Sequence, residues 1–156
     1  MAYEPQIKYS KILFCTDFSE NSDFAFDYAL YAARSCADSE LFVLHVVPES
    51  QSQFWKTYIY EIENVDDKAR ADIDARIKES YLVKVPEGMK IDIEFRIGKE
   101  NEEILDFAKE IGADLIVIGR HNSSVFESAF FGNITEKIVR KAHCPILVVP
   151  SPFAHK

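Results

Sequence analysis

Leu115-Ile116-Val117-Ile118-Gly119-Arg120-His121-Asn122, followed after nine residues by Gly132-Asn133-Ile134-Thr135, runs from an unbroken apolar stretch through a turn into a helical pattern. A buried strand that ends in glycine and feeds a helix N-terminus is a building unit of parallel α/β sheets. It is also a natural anion site, because unpaired backbone N–H groups and the helix dipole both favour negative charge.

Four further runs share its strand character. Lys11 to Thr16, Leu41 to Val47, Ile91 to Ile97 and Pro145 to Val149 join Asp114 to Gly119 to make five strands. Helical patterns lie between them, and that alternation predicts a parallel sheet wrapped by helices on both faces. The first helix is capped by Ser19 or Asn21, with a Phe24, Ala25, Tyr28, Ala32 stripe. The second starts near Asp66 and carries Ala69, Ile73, Ile77 and Tyr81 on one face. Asn101 is expected to cap the third, with an Ile104, Leu105, Ala108, Ile111 face and Gly112 as its stop. The fourth begins at Asn133, which has capping-box spacing to Glu136, and buries Ile134, Ile138, Val139 and Ala142.

The strands differ in kind. Leu41 to Val47 and Leu115 to Ile118 are almost continuously apolar, as suits strands covered on both faces. Ile91 to Ile97 alternates, so its Asp92, Glu94 and Arg96 face is expected to meet water at a sheet edge. Ile146 to Val149 is apolar throughout although it closes the pattern, and an exposed apolar edge invites a second subunit. Pro48 to Val65, with Phe54, Trp55, Tyr58, Tyr60 and Ile62, is long for a connection and reads as a lid, a binding loop or a continued helix.

At 156 residues the chain is expected to form one domain, residues 1–156. Its formal net charge of −8 is spread along the sequence and disfavours nucleic acid and anionic lipid as partners. Cys15, Cys36 and Cys144 show no CxxC or metal-ligand spacing and read as buried reduced thiols. No signal-peptide core and no membrane-length apolar run is present, so a cytoplasmic location is expected.

In an open parallel sheet ligands bind beyond the carboxyl ends of the strands where strand order reverses. With order 3-2-1-4-5 the first and fourth strands flank that crevice, bringing Asp17, Val46 and Gly119 to its rim. From Lys11 to Pro150 the chain resembles the universal stress protein family. The likeness rests on Ile-Leu-Phe-Cys-Thr-Asp-Phe-Ser at 12–19, Leu-His-Val-Val at 44–47, Ala-Asp-Leu-Ile-Val-Ile-Gly at 113–119, Gly-Asn-Ile-Thr-Glu-Lys-Ile-Val at 132–139 and Cys-Pro-Ile-Leu-Val-Val-Pro at 144–150. The resemblance implies a five-stranded Rossmann-like fold and a homodimer joined through the last strand, Ile146 to Val149.

Nucleotide-binding members of that family share G-x2-G-x9-G-[S/T] and hold ATP with its phosphates on this loop. Gly119 and Gly132 match, whereas Asn122 replaces the second glycine and Asn133 the serine or threonine. Both changes are mild, since Asn tolerates positive φ and its amide donates to phosphate. Carried over, the likeness gives Asp17 to the ribose or adenine, Val46 to the adenine, and Gly119, His121, Asn122, Gly132, Asn133, Ile134 and Thr135 to the phosphates.

Structural roles compete with each assignment. Asp17 suits a turn, Gly119 a strand end and Asn133 an N-cap. His45 and His143 read as satisfied histidines near strand ends, Arg120 as a surface charge and Glu102-Glu103 as a solvated first helical turn. Neither catalytic residues nor metal ligands are assigned. Lys137 lies inside a helix and not in a Walker arrangement, so hydrolysis is expected to be slow at most.

The expected function is therefore a dimeric ATP- or AMP-binding regulatory or stress-response protein, with Mg²⁺ if the ligand is ATP. A dimeric interaction protein of the same family that binds no nucleotide is the alternative. A dinucleotide enzyme is disfavoured, because Thr16-Asp17-Phe18-Ser19 is not a glycine-rich turn.

Overall fold

The structure is a computed structural model that describes residues 2–4, 6–49, 65–120 and 133–151, with backbone alone at 65–69 and 133. Five parallel strands, β1 (Lys11–Thr16), β2 (Glu40–Pro48), β3 (Lys90–Gly98), β4 (Leu115–Gly119) and β5 (Ile146–Val149), form one sheet in the order β3-β2-β1-β4-β5. Among the described residues four α-helices cover it: α1 (Glu20–Ser35), α2 (Val65–Ser80), α3 (Glu100–Ile111) and α4 (Asn133–Lys141). The expected architecture, strand order and two-sided helical cover are all present.

Period-two alternation divides the buried side chains of the central strands between two layers. Ile12, Phe14, Leu41, Val43, Leu115 and Val117 face α1 and α2. Leu13, Cys15, Phe42, Leu44, Ile116 and Ile118 face α3 and α4. The side chain of Asp114 accepts from the backbone N–H groups of Ser10 and Lys11, at 2.7 and 2.9 Å. That ties the starts of the two central strands together and leaves Asp114 outside β4.

Several local expectations are corrected. The buried face of α1 is Asn21, Ser22, Ala25, Phe26, Ala29, Leu30 and Ala33; of the expected Phe24, Ala25, Tyr28, Ala32 stripe Ala25 is fully buried and Phe24 and Ala32 pack at the margin of the core. Alanines every fourth residue let the helix lie close to the sheet, which leaves Tyr28 on the flank against Phe24. Helix α3 starts at Glu100, not after Asn101, and its cap position Lys99 makes no side-chain cap bond. Phe107 joins Ile104 and Ala108 in the core, and Gly112 stops the helix in the left-handed conformation as expected. On α4 Ile138 is fully buried, but Ile134 and Val139 are 38 % and 55 % exposed.

The polar face of β3 does not simply meet water. Arg96 lies over the Phe107 ring, 4.8 Å from its centroid, and its guanidinium is ringed by Glu94, Glu103 and Glu110. Ile93 and Ile97 on the opposite face are exposed. Of the three cysteines, all free, only Cys15 is buried.

Tyr81 follows α2 and is fully buried against Phe14 and Phe26. Its hydroxyl donates to Asp23 Oδ1 at 2.7 Å and accepts from the Thr16 hydroxyl, which in turn accepts from the Phe18 N–H. One phenol thus links α2, the end of β1 and α1. Tyr81→Phe is expected to lower unfolding free energy by about 1–3 kcal/mol, because the Thr16 and Asp23 groups lose a buried partner. Urea denaturation with an unchanged midpoint would show that the linkage contributes nothing.

Candidate functional site

Strand order reverses between β1 and β4, since the chain leaves β1 toward β2 on one side and later returns to β4 on the other. The helices that follow these strands diverge, and a crevice opens above the strand ends. It is lined by Asp17 after β1, Val46 on β2, Glu100 and Ile104 on α3, Gly119 on β4, and Ile134 and Thr135 on α4. Cys15, Leu44, Ile118 and Ile138 form its apolar floor, and the cavity volume is about 100 Å³.

The turn from β1 into α1 is tightly specified. Asp17 Oδ1 accepts from the Ser19 N–H at 2.9 Å and from the Ser22 hydroxyl at 2.6 Å. The Ser19 hydroxyl in turn accepts from the Ser22 N–H and caps the helix. Phe18 between them adopts φ 63, a left-handed conformation uncommon for a bulky residue. Ring contacts hold it there: His45 lies 4.5 Å away, and the Arg76 guanidinium sits 4.3 Å above the ring.

His45 Nδ1 bonds the Thr16 carbonyl at 2.8 Å. Burial lowers its pKa below the ordinary imidazole value, against the opposing effect of that bond. It is a satisfied histidine on the face opposite the crevice floor. The Glu102-Glu103 pair divides as adjacent helical residues should: Glu102 approaches Lys99, and Glu103 turns back to Arg96.

Gly119 has a packing reason to be glycine. A Cβ there would stand 2.6 Å from the carbonyl oxygen of Asn21 and 3.0 Å from the Ser22 nitrogen. The end of β4 and the first turn of α1 therefore touch backbone to backbone. The Asn21 side-chain amide fastens the contact by donating to the Arg120 carbonyl.

Five residues expected at a ligand, Asp17, Val46, Gly119, Ile134 and Thr135, line this one crevice. Helix α4 begins at Asn133, the start expected from the sequence. His121, Asn122 and Gly132, like the aromatic residues Phe54 to Ile62, lie outside the described residues. Sequence reasoning missed Glu100. Its signal was its position directly after an edge strand of a parallel sheet, obscured by starting α3 a turn's fraction too late.

A model of the universal stress protein family matches residues 8–150. The chain is 28 % identical over 157 residues to universal stress protein MJ0577 of Methanocaldococcus jannaschii, covering 92 % of this chain and 96 % of that one. It is 29 % identical to universal stress protein YxiE of Bacillus subtilis, covering 90 % and 99 %. Among solved structures it is similar to UspA of Lactobacillus plantarum, with TM-score 0.72 and 25 % identity over 92 % and 99 % of the two chains. A universal stress protein in complex with cAMP shares the fold at TM-score 0.59 and 18 % identity, over 92 % and 98 % of the chains, a likeness of fold alone.

Gly119→Ala is expected to cost about 1–3 kcal/mol, since both neighbours of the added methyl are backbone and must move. Chemical denaturation is the measurement. An unchanged midpoint would mean that β4 and α1 separate freely.

Proposed function

The chain belongs to the universal stress protein family, and on that premise we propose that its crevice binds an adenine nucleotide, ATP or AMP, as a regulatory ligand in a stress response. The convergence of Asp17, Val46, Gly119, Ile134 and Thr135, from four separate segments of sequence, on one crevice carries this reading. The Asp17 carboxylate is positioned to accept from ribose hydroxyls, and the apolar floor suits a planar base. Phosphates would lie toward Gly119 and the N-terminus of α4, where helix partial charge favours an anion. His121, Asn122, Gly132 and Asn133 belong to the phosphate side in the same proposal, with Mg²⁺ accompanying ATP. Hydrolysis, if any, is slow, and the nucleotide acts by occupancy.

A homodimer through β5 is proposed with it. The strand lies at the sheet edge with Leu147 37 % exposed, and Val139 on the neighbouring helix is more exposed still. Exposed apolar side chains beside an open strand edge favour pairing with another chain. The proposed location is cytoplasmic. Among the described residues no helix is long and apolar enough to cross a membrane, and the net charge of −8 disfavours nucleic acid.

The second reading, a dimeric interaction protein without nucleotide, is favoured by Asn122 and Asn133, where the family's binding pattern has Gly and Ser or Thr. Two measurements separate the readings. Protein purified without added nucleotide is denatured and its supernatant examined for adenine absorbance, and ATP, AMP and cAMP are titrated calorimetrically with magnesium. Bound adenine nucleotide or saturable heat supports the first reading; neither, up to millimolar ligand, leaves the interaction protein. For the dimer, Leu147→Lys is expected to halve the mass found by light scattering, and a persistent dimer would place the interface elsewhere.

A further inference from the structure

The crevice is electrically lopsided. Its α3 end carries three carboxylates in the first helical turn, Glu100, Glu102 and Glu103, of which Glu102 and Glu103 approach Lys99 and Arg96. Its α4 end has one acidic residue in the first turn, Glu136, and that carboxylate is engaged by Arg140 at 2.7 Å. An elongated anionic ligand is thus driven to lie with its phosphates toward α4 and its uncharged end toward α3.

At the α3 end Glu100 and Ile104 stand four residues apart and share one helix face. Ile104 is buried in the floor with Leu44 and Val46, and Glu100 stands one turn above it at the rim. An apolar slot with a carboxylate at its rim suits an aromatic ring system held by its face, and tests the hydrogen-bonding character of the ring's edge. Glu100 is close enough to the slot for its field to act on the buried Cys15 thiol, adding to the burial that pushes that thiol up.

Resting on the nucleotide reading above, we propose that Glu100 reads the exocyclic amine of the base and makes the site select adenine over hypoxanthine nucleotides. An ionised carboxylate only accepts hydrogen bonds. It is matched by the N6 amine of adenine and opposed by the O6 carbonyl of hypoxanthine, which places lone pairs against lone pairs. Ribose and phosphate are common to AMP and IMP, so the difference between them isolates this contact. Asp17, the other carboxylate at the rim, has Oδ1 committed to the Ser19 N–H and the Ser22 hydroxyl and serves the sugar.

Calorimetric titration of AMP and IMP against the wild-type protein, Glu100→Gln and Asp17→Asn tests the assignment. Wild type is expected to prefer AMP by roughly 10- to 100-fold, the range of a charge-assisted hydrogen bond made or lost. Because a glutamine amide both donates and accepts, Glu100→Gln is expected to bring the preference to about threefold or less, chiefly by tightening IMP. Equal binding of AMP and IMP to the wild type overturns the assignment and leaves the nucleotide reading standing. A preference that survives Glu100→Gln but falls in Asp17→Asn also overturns it, giving the amine to Asp17. Absence of binding by AMP, IMP and ATP alike overturns both.

Discussion

The contact between the end of β4 and the first turn of α1 is the constraint on which the rest of the molecule turns. Gly119 has no room for a side chain because the backbone of Asn21 and Ser22 lies against it. The Asn21 amide reaches across to the Arg120 carbonyl. The contact fixes how closely the first turn of α1 approaches the end of β4, and so sets one wall of the crevice. A glycine at this position thus serves packing first. Closeness to phosphate would be a second use of the same missing Cβ.

Much of the fold was legible in the sequence because its strongest signals are collective. Continuous apolar runs in Leu41 to Val47 and Leu115 to Ile118 mark strands covered on both faces, and the alternation in Ile91 to Ile97 marks an edge. Errors arose where local pattern competes with tertiary geometry. The α1 stripe was misassigned because large apolar residues weigh more in a periodicity than alanines do, whereas close approach to a sheet favours the small ones. Arg96 reads as solvent-facing, yet its apolar stem and planar guanidinium lie on Phe107 while three carboxylates satisfy its charge. No one-dimensional pattern contains that pairing.

The candidate crevice was legible through two independent routes. Strand order alone places Asp17, Val46 and Gly119 at one end of the sheet, and family likeness adds Ile134 and Thr135. Glu100 was not legible, because a lone carboxylate at a helix start is ordinary and its meaning depends on what stands opposite. Only the three-dimensional arrangement shows that the Cys15, Leu44 and Val46 floor faces it.

The two edges of the sheet are unlike, and that difference governs growth. A sheet open at both margins is a polymerisation unit: the last strand of one copy could accept the first strand of the next without end. On β3 one face carries Asp92, Glu94 and Arg96, with Glu103 and Glu110 drawn to Arg96 from α3, and charge beside an edge strand discourages pairing. On β5 no charged side chain interrupts Ile146–Val149. In the proposed dimer β5 would pair with its own copy about a twofold axis, using both β5 edges at once, so the assembly would close and not extend as a fibre.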